Sequence, residues 1–238
     1  MPAATEEYAN PYAARAGNGF PSLIDAVLKE EFALSRTLLG ADLTYVKNLA
    51  REVLKLTNGS VLDAILRGNI AWMHRTDPKV KKALDVLWSR REIQPSIYMQ
   101  VLVDKDGLSP SPSELVALID RLREYCKTDG DPVLAHHVDN YKTRTWHTLE
   151  SSRSGKRKYL TKPGTAIQSK RRVMEVLTFY DNLEARLRKT SGWAKPLDMP
   201  LVEFGYTHNA EQRLRAHRNH QQSNYLMNLT EAVCARIY

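Results

Sequence analysis

The sequence predicts a mainly α protein: a multi-helix bundle followed by a long helix and a small β-turn-α unit. Two observations carry that expectation. Apolar residues recur at three- and four-residue steps over most of the chain, the period of a buried helix face. Helix-start punctuation also recurs, with Asp77-Pro78, Ser111-Pro112 and Asp131-Pro132 each setting a capping side chain before a proline. At the first helical position the missing proline N–H costs nothing. These signals are punctuation, and no internal repeat accompanies them.

Residues 1–20 carry Pro2, Pro11, Gly17 and Gly19 without periodicity and read as a flexible arm. Ser22-Leu23-Ile24-Asp25 has the form of a capping box, opening a helix through Val27, Leu28 and Leu34 that Gly40 stops. Asp42 starts a second helix, stepped by Leu43, Val46, Leu49, Val53 and Leu54 and closed by Asn58-Gly59. Ser60 caps a third around Val61, Ile65 and Ile70. After Pro78 come Val80, Leu84, Leu87 and Trp88; after Pro112 come Leu115, Leu118, Ile119 and Leu122; after Pro132 come Leu134, Val138 and Tyr141. Residues 96–104 are β-branched enough for a strand, but their helical neighbours favour a helix. Residues 21–150 thus read as one helical domain.

Composition shifts near residue 150. Residues 151–164 are polar, basic and aperiodic, the marks of a linker. Residues 165–190 form one long helical pattern through Ile167, Val173, Val176, Leu177, Tyr180, Leu183 and Leu187, ended by Ser191-Gly192. Leu201 to Phe204 is a short strand candidate, followed by helices at Ala210–His217 and Leu226–Ile237. Residues 165–238 are expected to be that long helix plus a small α/β-like unit. The pattern stops mid-helix at Tyr238, so the polypeptide is expected to continue.

Of the 238 residues, 42% are hydrophobic and 26% charged, which excludes wholesale disorder. No run approaches the ~18–20 apolar residues of a membrane span, so no membrane partner is expected. The opening Met1-Pro2-Ala3-Ala4-Thr5-Glu6-Glu7 has no apolar core, arguing against secretion. Cys126 and Cys234 alone supply neither a disulfide framework nor a thiolate zinc site. The expected location is nucleus or cytoplasm.

The charge is uneven. Residues 141–190 hold 13 basic against 4 acidic residues, enough to account for the net +8 of the whole chain. Lys142, Arg144, Arg153, Lys156, Arg157, Lys158, Lys162, Lys170, Arg171 and Arg172 are the candidate nucleic-acid-binding residues. Phosphates neutralised by such a cluster release counterions, which favours a polyanion. Tyr141, Trp146 and Tyr159 interleave with these cations in a way that would suit stacking on unpaired bases. Lys156-Arg157-Lys158 and Lys170-Arg171-Arg172 also have the bipartite spacing read by a nuclear import receptor. The near-neutral N-terminal helical domain is the candidate surface for a protein partner.

Candidate chemistry is sparse. His136 and His137 point about 100° apart on a helix and cannot chelate together. His217 and His220 are spaced to share a face, with no carboxylate fixed beside them by the sequence. Asp104-Lys105-Asp106-Gly107 lacks the later ligands of a calcium loop and reads as a turn. Neither a metal nor a cofactor is expected.

One segment carries more. In Leu201–His217, Gly205 ends a strand, Thr207 follows, and a helix presents Arg213-Leu214 with His217 four residues past the arginine. This resembles the second strand and first helix of GIY-YIG nucleases, over about 17 of the 238 residues. The resemblance implies that Arg213 would be the catalytic arginine and that Gly205 would let a phosphate approach. Three features depart from the family. Glu203 stands where the family has the tyrosine of its second tripeptide, no Gly-Ile-Tyr strand lies within 191–200, and the family's metal-binding Glu has no clear counterpart; Glu231 stands too near to be assigned that role. The expected function is therefore nucleic-acid binding through residues 141–190, without catalysis by this chain. The alternatives are a helical protein-interaction module with a basic tether, and a GIY-YIG-like nuclease or degenerate relative.

Overall fold

A computed structural model describes residues 19–34, 42–93, 95–142, 147–162, 167–221 and 224–237. Among them are eleven α-helices and two strands. They are α1 (Phe20–Leu34), α2 (Leu43–Leu56), α3 (Gly59–Leu66), α4 (Ile70–Thr76), α5 (Pro78–Ser89) and β1 (Ser96–Val101). Then come α6 (Pro112–Cys126), α7 (Pro132–Asn140), α8 (Leu149–Arg153), a 3₁₀ turn (Lys158–Leu160) and α9 (Lys170–Leu187). The order closes with β2 (Val202–Thr207), α10 (Ala210–Arg218) and α11 (Tyr225–Ile237). The protein is mainly α. Two compact units divide it: Met1–Arg90 with Val103–Ser109 and Asp198–Leu201, and Arg91–Leu102 with Pro110–Leu197 and Val202–Tyr238.

In the first unit, α1 packs on α2, and α3 packs on α4 and α5 around Val61, Ala64, Ile70 and Val80. Asp42 and Asp77 cap α2 and α5 as their spacing predicts. Three boundaries differ from the sequence reading. Helix α1 begins at Phe20, so Ser22 lies in its first turn and does not cap it. Asn58, not Ser60, caps α3, accepting from Ser60 and Val61 N–H, so the helix starts at Gly59 and Ser60 lies within its first turn. The single helix expected over Val61–Ile70 is broken at Gly68, whose φ of +70° is left-handed. A Cβ there would meet the Asp198 carbonyl at 2.4 Å, so that close crossing requires glycine.

The second unit is built on α6, whose Leu115, Leu118, Ile119 and Leu122 are at most 2% exposed. Each such side chain stabilises the fold by roughly 1.5–3 kcal/mol relative to exposure. The capping box at Ser111 forms as predicted, with Glu114 accepting from the Ser111 N–H at 2.8 Å. Helices α9 and α11 pack on α6, and α11 also packs on α7.

Residues 96–101 form strand β1, not the expected helix, pairing antiparallel with β2 from Ser96–Thr207 to Val101–Val202. Local sequence could not reveal this, because the partner lies beyond four intervening helices. The strand at 202–207 also runs past Phe204 through Gly205-Tyr206-Thr207. Of residues 151–164, read as a linker, the described 151–162 begin in α8 and bury Arg157, Tyr159 and Leu160. The long helix begins at Lys170, with Ser169 as its cap, so Ile167 precedes it. Residues 1–18 of the proposed arm lie outside the described residues.

Candidate functional site

The sheet brings a tyrosine to the segment that resembles the nuclease family. Tyr98 on β1 stands opposite Gly205 on β2. A Cβ at residue 205 would lie 2.2 Å from the Tyr98 hydroxyl and Cζ, so the ring crosses β2 only over glycine. The Thr207 hydroxyl donates to the Asn209 carbonyl at 3.0 Å, and the Asn209 side chain caps α10. That turn aims the helix back along the sheet. Arg213 and His217, one turn apart, therefore share a face of α10. Arg213 Nε donates to the Tyr98 hydroxyl at 3.1 Å, and His217 Nε2 shares a hydrogen bond with it at the same distance. The base of the helix is pinned by Arg91, whose Nε donates to Glu211 at 2.5 Å and whose carbonyl accepts from Ala210 N–H.

Electrostatics fix the state of His217. Burial, and then the Arg213 charge, push its pKa below the ordinary 6.5, so the imidazole is neutral near pH 7. Its Nδ1 is buried without a hydrogen-bond partner among the described residues. Arg213 itself is only half-buried. The arrangement holds a guanidinium and a neutral imidazole on one phenol hydroxyl; Tyr98 and His217 are buried, and Arg213 reaches toward solvent.

A second cluster lies on α11. Glu231 is hydrogen-bonded by His220 Nε2 at 2.9 Å and ion-paired with Lys142. His220 Nδ1 meets the Tyr159 hydroxyl at 2.7 Å. Among the described residues, Lys142 and His220 are the non-glycine positions with left-handed φ, 47° and 51°. Both strained residues grip the same carboxylate. Burial opposes ionisation of Glu231, but the His220 and Lys142 hydrogen bonds prevail and its pKa is lowered.

The predicted cations are placed unevenly. Arg157 is fully buried, and its guanidinium donates to the carbonyls of Tyr125, Ser152, Lys156 and Lys127 at 2.8–2.9 Å. Arg172 donates to the Thr161 carbonyl at 2.6 Å and lies over the Tyr225 ring. Lys142 is committed to Glu231. Lys158 is half-buried over the Tyr159 ring, and burial lowers its pKa. Arg153 and Arg171 pair along their helices with Glu150 and Glu175 yet remain exposed. Lys156, Lys162 and Lys170 are exposed. Arg144 and Trp146 lie outside the described residues.

Of the interleaved aromatics that are described, Tyr159 is enclosed and Tyr141 half-buried. Tyr159 is 4% exposed with its hydroxyl on His220, and the Tyr141 ring packs 5.5 Å from the same imidazole. His217 and His220 do not act together: one serves Tyr98, the other Glu231. His136 bonds to Asn140, and Asp104 closes a turn by accepting from Asp106 and Leu108 N–H. Tyr98 was missed because its partners lie over a hundred residues downstream. The only local signal was Ile97-Tyr98 within a β-branched run. No protein-family model, curated protein or solved structure matches the chain.

Proposed function

We propose that this chain binds nucleic acid through its second unit, without cleaving it. The observation that carries the reading is the meeting of Arg213 and His217 with Tyr98 at one hydroxyl, held in place where the Tyr98 ring lies over Gly205. A half-buried guanidinium is suited to phosphate, since its planar fork matches the oxygens. The exposed Arg153, Lys156, Lys162, Lys170 and Arg171 would add sequence-independent phosphate attachments. The test is fluorescence anisotropy of a labelled mixed-sequence oligonucleotide from about 50 to about 200 mM salt. Affinity should fall steeply, by roughly 10³-fold or more if six phosphates are met. Arg213→Lys, which keeps the charge but loses the fork, should weaken binding to all sequences alike. Affinity that ignores salt would overturn the reading.

A second reading, kinship with GIY-YIG nucleases, is favoured by one observation: Ser96-Ile97-Tyr98 is a strand antiparallel to Gly205. In that family a Gly-Ile-Tyr strand precedes the second strand, and here the large insertion between them would have hidden it. The family's chemistry uses a metal held by a Glu on a later helix. Glu231, the acid available on α11, has one oxygen on Lys142 and the other on His220. No group of three His, Cys, Asp or Glu able to hold a metal occurs among the described residues. The residues do not fit the metal, and no cleavage step is assigned. Metal-dependent cleavage of DNA that disappears in Arg213→Ala would promote this second reading over the first.

A further inference from the structure

The two faces of the β1–β2 sheet differ. Tyr98, Gly205 and Thr207 point to the face that meets Arg213 and His217. Alternation puts Ile97, Met99, Val202, Phe204 and Tyr206 on the other. That second face is open: Ile97 is 69% exposed, Phe204 57% and Tyr206 60%. We propose that Phe204 and Tyr206 form a stacking platform for the bases of a single-stranded nucleic acid. The inference rests on the nucleic-acid reading above and narrows it to a substrate class.

Size and chemistry select this occupant. Two six-residue strands present roughly 20 Å by 10 Å of face, about 200 Å². A stable protein interface needs about 800 Å² from each partner, so the platform is too small for a second copy of this chain. It is large enough for two bases. The rings of Phe204 and Tyr206 are two residues apart on one strand, roughly 7 Å, with apolar Ile97 and Met99 beside them. Bases expose their flat faces only when unpaired, and sheet-borne aromatics take them up by stacking, whatever the sequence.

The experiment compares wild type with Phe204→Ala and Tyr206→Ala, whose exposed side chains can be removed without disturbing the core. A labelled single-stranded DNA dodecamer and a hairpin duplex of mixed sequence are titrated by anisotropy, with sedimentation run alongside. Each truncation should cost the single strand about fivefold or more in affinity. Duplex binding and the salt slope should stay as in wild type, and Tyr206→Phe should bind as wild type does. Unchanged single-strand affinity in both truncations would overturn the platform, and so would an equal loss on the duplex. A self-association abolished by the truncations would overturn it in favour of a contact between copies. Duplex binding that persists in each of these cases would leave the broader nucleic-acid reading standing; a wild type that binds neither probe would remove both.

Discussion

The basic segment 141–190 and the sheet with α10 make a useful contrast. The first has the charge. Yet Arg157 and Arg172 are turned onto backbone carbonyls, Lys142 onto Glu231, and Lys158 onto a tyrosine ring. The second has few charges, but its geometry makes two side chains of α10 converge on the hydroxyl of Tyr98, from a distant element. A count of cations measures attraction at long range; which of them can meet a ligand depends on what the fold already asks of each. Arginine is the residue most readily diverted, because its five donors can satisfy several carbonyls at once.

The sharpest way to break this contrast is Arg157→Met. Removing the guanidinium strands buried carbonyls of Tyr125 and Ser152, and should cost roughly 1–3 kcal/mol for each carbonyl left unpaired. Urea denaturation reads this directly. A stable variant with weakened nucleic-acid binding would return Arg157 to the ligand. Gly205→Ala comes next. Its Cβ would stand 2.2 Å from the Tyr98 ring, so strain of about 1–3 kcal/mol is expected, with loss of the Arg213–Tyr98 contact. If thermal melting shows no change, the ring does not lie across β2.

Acidification tests the electrostatics. Because the pKa of His217 is lowered in the folded protein, the unfolded chain takes up a proton first as pH falls below 6.5. Stability is therefore lost on that side, and His217→Gln should flatten the loss. Glu231, also lowered, adds a second loss as pH falls below its ordinary 4.5 and through its folded value. A stability profile flat from pH 7 to pH 5 would contradict the placement of His217, and one flat from pH 5 to pH 3 that of Glu231. The smallest effect should come from Lys156→Ala with Lys170→Ala, two exposed lysines. Fold stability should stay within about 0.5 kcal/mol, while the salt slope for binding drops by about two phosphate contacts. A slope equal to that of wild type would leave the whole polyanion contact to the α10 face.

The mainly α class, the caps at Asp42, Asp77, Ser111 and Asp131, and helices α10 and α11 were all legible in the sequence. Each depends on residues within one or two turns of one another, and short-range sterics and hydrogen bonding settle such features. So does the pairing of Arg213 with His217, a spacing of four on one helix. The strand at 96–101, its register on β2, and the role of Tyr98 were decided only by the tertiary structure. A strand is satisfied by whichever chain lies beside it, and here that partner follows four helices later. The same holds for the cations. Lys156 and Arg157 are neighbours with the same charge, yet one stands in water and the other is enclosed by carbonyls. Burial is a property of the packed whole, and no local pattern of charges encodes it.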